Sequence, residues 1–290
     1  MSAALWAVAS GVGFGVFQSL NRRALVDIED PYVSTFINLV IAALALLGVA
    51  LATEDVTRLL DAGAWPLLAF AAAGVVHFLL GWTFLNLSQR RIGAARTSPL
   101  LTMAPLFALF IGVVTLGQLP TALALVAIVP MVLGAYLVSG GGEEARGADA
   151  LPGLACALMW ALSPIFTLEG LDGLDSPLLG VTLGMVASVA AYGVFLVGRG
   201  KSLRGSFVAR EALAFKVLAG VLVALATWWR WLAIDGADVA VVLSLALVSV
   251  PIVLFLSPLL VGRHLERVTS KVWLGAGLVV AGALTLIAVS

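Results

Sequence analysis

Of the two histidines, His77 and His264, only His77 lies inside a long apolar stretch. Histidine is the side chain whose charge changes closest to neutral pH, so His77 can hydrogen-bond a solute or carry a proton coupled to its movement. A neutral imidazole bonded to a neighbouring helix accounts for it equally well. Arg230 stands in Trp228-Trp229-Arg230-Trp231, near the end of another apolar stretch. One reading holds its guanidinium among aromatics, where it can fork onto a carboxylate. The other makes the cluster an interfacial aromatic belt, with the arginine snorkelling outward toward Asp235. The second is preferred, because Arg230 is only a few residues from a loop. Lys216, in the first turns of the same stretch, is expected to snorkel as well.

Weaker polar signals surround these. Gln18 lies one helical turn beyond Phe14 on the same face, and Asn38 is a lone amide. Ser98 and Thr102 share a face, as do Ser163 and Thr167. Hydroxyls of this kind mostly bond their own backbone or a neighbouring helix. Trp82, Trp160 and Trp228 are candidate walls of a binding site. Pro105, Pro164 and Pro251 interrupt apolar stretches and free carbonyls, which suits either hinges or simple kinks.

Several chemistries are excluded. There is no H-E-x-x-H pair and no nucleophile beside a base. Cys156 is the only cysteine, which leaves neither an internal disulfide nor a thiol metal cluster. The Gly11–Gly13–Gly15 run follows no strand, so it is helix packing rather than a nucleotide loop. No enzyme activity, cofactor, metal or ATP site is expected.

The elements that must position these residues follow from composition. Of 290 residues, 62% are apolar and 11% charged, and the mean hydropathy is +1.12. A soluble domain carries about 25% charged residues, so too little polar surface exists to cover such a core. Lys+Arg and Asp+Glu balance at 16 each, so no bulk charge argues for nucleic acid. No basic residue precedes the first apolar stretch, which is read as a retained span rather than a signal peptide. Ten stretches are long enough to cross a bilayer: 3–20, 32–52, 64–87, 98–116, 119–138, 150–168, 177–197, 212–232, 239–261 and 272–289. All 16 acidic residues fall between them or at their ends, as the cost of a buried carboxylate requires.

The glycine-rich, acidic segment near the middle divides the ten into two fives, with 1–139 and 150–290 as repeats and 140–149 as linker. At an offset of 146, Phe14 falls on Trp160, Pro31 on Pro177, Gly74 on Gly220, Trp82 on Trp228 and Pro105 on Pro251. Loop charges invert between the copies. Basic residues follow spans one (Arg22, Arg23) and three (Arg90, Arg91, Arg96), then spans seven (Arg199, Lys201, Arg204, Arg210) and nine (Arg263, Arg267, Lys271). An odd number of helices per repeat turns the second copy upside down, as this pattern requires. The expected fold is all-α and integral to the membrane, with ten transmembrane helices as two inverted five-helix repeats. The charge count puts the odd-numbered loops in the cytoplasm and both termini outside.

Ten spans, a five-plus-five inverted repeat and these landmarks resemble the EamA branch of the drug/metabolite transporter superfamily. The aromatic-small pairs Phe14-Gly15 and Trp160-Ala161 match its first helices. Pro105 and Pro251 match its fourth helices, followed by the turns Gly117-Gln118-Leu119 and Leu265-Glu266-Arg267. Gln118 departs from the usual turn glutamate. The resemblance implies that helices one, three and four of each repeat line a central cavity and that helices five and ten pack outside. It also implies cytoplasmic termini, against the charge count. Small multidrug exporters of the superfamily couple protons through a glutamate in helix one, and this chain has no carboxylate there.

The reading is therefore a secondary transporter of small organic metabolites in a cell membrane, most consistent with a prokaryotic plasma membrane. Export of amino acids or related compounds is favoured. Its partners are the lipid bilayer, a small-molecule substrate and a coupling ion, proton or sodium, with no nucleic acid. A lipid scramblase or a non-transporting membrane scaffold is the alternative.

Overall fold

The computed structural model describes residues 2–28, 30–116, 121–139, 147–199, 209–237 and 239–289. Every regular segment among them is helical. Backbone groups in lipid find no water, so a spanning segment satisfies them within a helix. The chain opens with α1 (Ala3–Val26), α2 (Pro31–Thr53), a short α3 (Arg58–Asp61) and α4 (Ala64–Gly74). A π-helical segment, Val75–Gly81, leads without a break into α5 (Trp82–Ile92). Then come α6 (Ala94–Leu101), α7 (Ala104–Leu116) and α8 (Ala122–Val138). The second half has α9 (Leu151–Gly173), α10 (Pro177–Gly198), α11 (Arg210–Gly236), α12 (Val239–Ala246), α13 (Ser249–Val261) and α14 (Ser270–Val289).

Local sequence sets several of these ends. The Ser2 hydroxyl accepts from Leu5 N, the Asp30 carboxylate from Tyr32 N and the Ser176 hydroxyl from Leu179 N. Pro31 and Pro177 each open a helix, where the missing N–H costs nothing. Among the described residues, nine helices are long and apolar enough to cross a membrane, and α8 is a shorter apolar one. The chain is a multi-span membrane protein.

Three of the expected spans are not simple α-helices. Span three contains the π-helical Val75–Gly81. Span four is broken between α6 and α7 at Thr102 and Met103, and span nine between α12 and α13 at Leu247 and Val248. Each break lies two to four residues before a proline, Pro105 or Pro251. A proline ring clashes with the carbonyl four residues back and removes one hydrogen bond, so each helix restarts with its proline in the first turn. Pro164, in contrast, lies inside the unbroken α9.

The helices pack mainly across the two halves. α1 packs on α11 and on α12 and α13; the span formed by α4, the π segment and α5 packs on α9 and α10. α2 lies against α10 and α11, α6 against α13, α6 and α7 against α9, and α8 against α14. Exchanging each span for the one five places later converts these pairings into one another. Glycine permits the closest approaches: a Cβ on Gly74 would collide with the backbone of Gly184, and one on Gly134 with that of Gly275. The largest core cluster gathers Phe14, Phe17, Phe70, Phe78, Trp82, Trp160 and Trp231. Large apolar side chains such as Leu44, Leu68, Phe110 and Val194 cover the outside, as a surface solvated by lipid requires.

Candidate functional site

A cavity opens where spans one, four, six, eight and nine meet. α1 contributes Phe14 and Gln18, α6 and the break after it Ser98 and Thr102, α7 Pro105, α9 Trp160 and α11 Arg230. The free volume is about 60 Å³, room for a few water molecules. Phe14 and Trp160, one from each half, meet edge-on with centroids 5.7 Å apart. Both helix breaks supply lining: Leu101 and Ala104 flank one, Ala246 and Ser249 flank the other with Leu247 inside it, and Leu243 lies one turn before. Sequence reasoning missed these six. They are apolar or small, so nothing in their residue type marked them as lining.

Polar atoms here lack protein partners. Gln18 Oε1, Ser98 Oγ and Trp160 Nε1 are buried without a hydrogen bond among the described residues. Arg230 is 7% exposed and lies 6.0 Å from the centroid of the Phe14 ring. No carboxylate of a described residue pairs with it, Asp235 included. The outward-facing belt expected for this stretch is not found. Trp229 stacks on Trp6 at 6.3 Å and Trp231 on Phe70 at 5.7 Å. The reason is packing: α11 meets α1, α2 and α10 together, which leaves its aromatic end little lipid-facing surface.

His77 stands one layer behind this cavity. Carried on the π-helical segment, its ring stacks on Trp160 at 5.3 Å and 9°, and Nδ1 bonds the Ser163 hydroxyl at 2.8 Å. Nε2 has no partner among the described residues. His77 and Ser163 therefore hold the Trp160 wall rather than form it. Trp82 is fully buried between Phe17 and Phe78. Thr167 donates to Ser163 O at 3.1 Å and Thr102 to Pro99 O at 2.7 Å, the backbone bonding usual for such hydroxyls. Trp228 is half-buried against the core and Pro251 sits just past the span-nine break; neither lines the cavity. Pro164 and Asn38 do not reach it either.

Asn38 belongs instead to a buried polar network. Asn21 Oδ1 accepts from Asn38 Nδ2 at 2.7 Å and from Lys216 Nζ at 2.5 Å. Asn21 Nδ2 donates to Asn86 Oδ1 at 3.0 Å and Gln89 Oε1 at 2.8 Å, and Gln89 Nε2 reaches Gln18 O at 3.3 Å. Lys216 is fully buried, so the expectation that it snorkels is wrong. Its side chain points between α1 and α2 rather than along the helix toward a surface. Spacing carried a faint signal, since Gln18 and Asn21, like Asn86 and Gln89, recur at i,i+3 on one face.

A second unforeseen feature is an ion pair. Arg22 Nε lies 2.6 Å from Glu266 Oε1, and both side chains are buried. Glu266 also accepts from Ala94 N at 3.1 Å and Ala95 N at 3.0 Å, capping α6. Gly93, at φ +82°, turns the chain into that helix, and a Cβ there would strike the carboxylate. Glu266 thus ties the turn after span nine to spans one and four. The corresponding first-half turn, Gly117-Gln118-Leu119, lies outside the described residues, as do linker residues 140–146 and the loop basics Lys201 and Arg204.

Comparison with known proteins agrees with this architecture. No curated protein matches the chain. One solved crystal structure superposes over 96% of this chain and 97% of its own at a TM-score of 0.62, with 15% identity, a likeness of fold alone. Residues 1–140 match the EamA-like transporter family. With these residues forming apolar membrane-spanning helices, this part of the chain is similar to the EamA-like transporter family, the EamA branch of the drug/metabolite transporters.

Proposed function

We propose that the protein is a secondary transporter of small organic metabolites, working by alternating access between two inverted five-helix repeats, 1–139 and 150–290. The observation that carries this reading is the cavity itself, lined from both halves and flanked by the two proline-linked helix breaks. Broken helices around a central site are how such carriers bind a solute and rock about it. The interchange of pairings between spans five places apart supports the repeat. With α8 taken as the tenth span, the count of ten follows. Export of amino acids or related compounds suits an aromatic cavity with few charged groups, and a polyanionic substrate does not. The setting is a prokaryotic cell membrane, with uphill movement driven by a proton or sodium gradient.

Counterflow tests this. Liposomes carrying the purified protein are loaded with unlabelled solute from a panel, and labelled solute is added outside. Transient accumulation of one amino acid or metabolite is the expected result. No accumulation with folded protein, alongside flipping of labelled phospholipid, favours a scramblase; neither signal favours a scaffold.

A further inference from the structure

Among the described residues, Arg22, Lys216 and Arg230 are the buried Lys and Arg side chains, and they are not treated alike. Arg22 has the Glu266 carboxylate, and Lys216 has the Asn21 amide oxygen. Arg230 has neither: no described residue gives it a hydrogen bond or an ion pair, and its neighbour in the cavity is the face of Phe14. A guanidinium is always charged, presents five donors and has no acceptor. Left without a counter-charge in a water-poor site, it destabilises the empty protein. Such a group is retained where an arriving ligand supplies the negative charge.

We propose that Arg230 is the anion anchor of the cavity and that the solutes taken there carry a carboxylate, whether simple organic acids or zwitterions, and not amines or uncharged compounds. The inference rests on the transporter reading and narrows its substrate class. Two orphaned atoms of the lining fit the other end of such a solute. Gln18 Oε1 and Ser98 Oγ lack donors and suit the ammonium or hydroxyl groups of the solute. Trp160 Nε1, also without a partner among the described residues, abuts Gly81 of span three and takes no part in holding the anion. Phe14 and Trp160 form the apolar wall between. Bidentate Arg–carboxylate geometry makes the choice selective, because an amide or amine of the same skeleton leaves the guanidinium still unpaired.

The experiment is thermal unfolding of the purified full-length protein with three matched series: short-chain monocarboxylates and amino acids, their amides, and the amines lacking the carboxyl group. Acids are expected to raise the midpoint. Their amides and amines should need at least about tenfold higher concentration for the same shift. Arg230→Gln and Arg230→Met should lose protection by acids, and Arg230→Lys, which keeps the charge without the fork, should retain it weakly. The unliganded Arg230→Met protein should melt no lower than wild type, since it sheds an uncompensated charge. Equal protection by amides, or protection by no acid, overturns the proposal. So does an Arg230→Met protein that melts well below wild type, because the guanidinium is then structural. Protection through Arg230 without counterflow would leave the anchor standing and remove the transporter reading.

Discussion

His77 of span three stacks face to face on Trp160 of span six, 5.3 Å away and 9° from parallel. The pair joins the two halves of the chain directly beside the cavity, and the bond from His77 Nδ1 to Ser163 fixes the imidazole ring in that plane. His77 is thus a positioning residue for Trp160.

His77→Ala is expected to lower exchange, because it removes the ring that backs Trp160 beside the cavity. His77→Phe keeps an aromatic ring against Trp160 and should restore most of the rate. Transport rates of both variants in liposomes decide the matter. Unchanged transport in His77→Ala removes His77 from the mechanism.

Glu266→Ala should be among the most damaging single substitutions, destabilising by about 3–5 kcal/mol, because it leaves Arg22 buried without its partner. Adding Arg22→Met should recover part of the loss. A double-mutant cycle read by denaturant unfolding in micelles measures the coupling; strictly additive effects would show that the pair contributes nothing as a pair.

Spans three and seven meet through Gly74 and Gly184, where no Cβ fits. Gly74→Val is expected to cost about 1–3 kcal/mol by forcing the helices apart. Gly48→Ala is the control: nothing lies within 4 Å of its Cβ position, and stability should hold or rise slightly. Equal melting of the two variants would contradict the close contact.

Asn21 serves four partners, whereas Lys216 serves one. Asn21→Leu therefore strands buried polar atoms on three other spans and should cost about 2–3 kcal/mol. Lys216→Met removes a buried cation while Asn38 still satisfies Asn21, so stability should change by less than about 1 kcal/mol or increase. The order of the two melting temperatures is the test, and a reversal would assign Lys216 the central role.

The sequence by itself determined that the chain is an all-helical, multi-span membrane protein, because long apolar stretches and the exclusion of carboxylates from them are local properties read without neighbours. It also brought Phe14 and Trp160 into view as equivalent positions, and they touch. Pro105 and Pro251 marked the two interrupted helices for a covalent reason, the missing N–H. What a side chain faces is set by packing and could not be read from the sequence. Lys216 and Arg230 look like snorkelling residues because each lies a few turns from a helix end, and α1 and α2 decide otherwise by closing over that side of α11. Arg22 and Glu266, 244 residues apart, carry no mutual signal in the chain. Only the tertiary structure separates the buried cation that has a partner from the one that does not, since that distinction is a distance between elements remote in sequence.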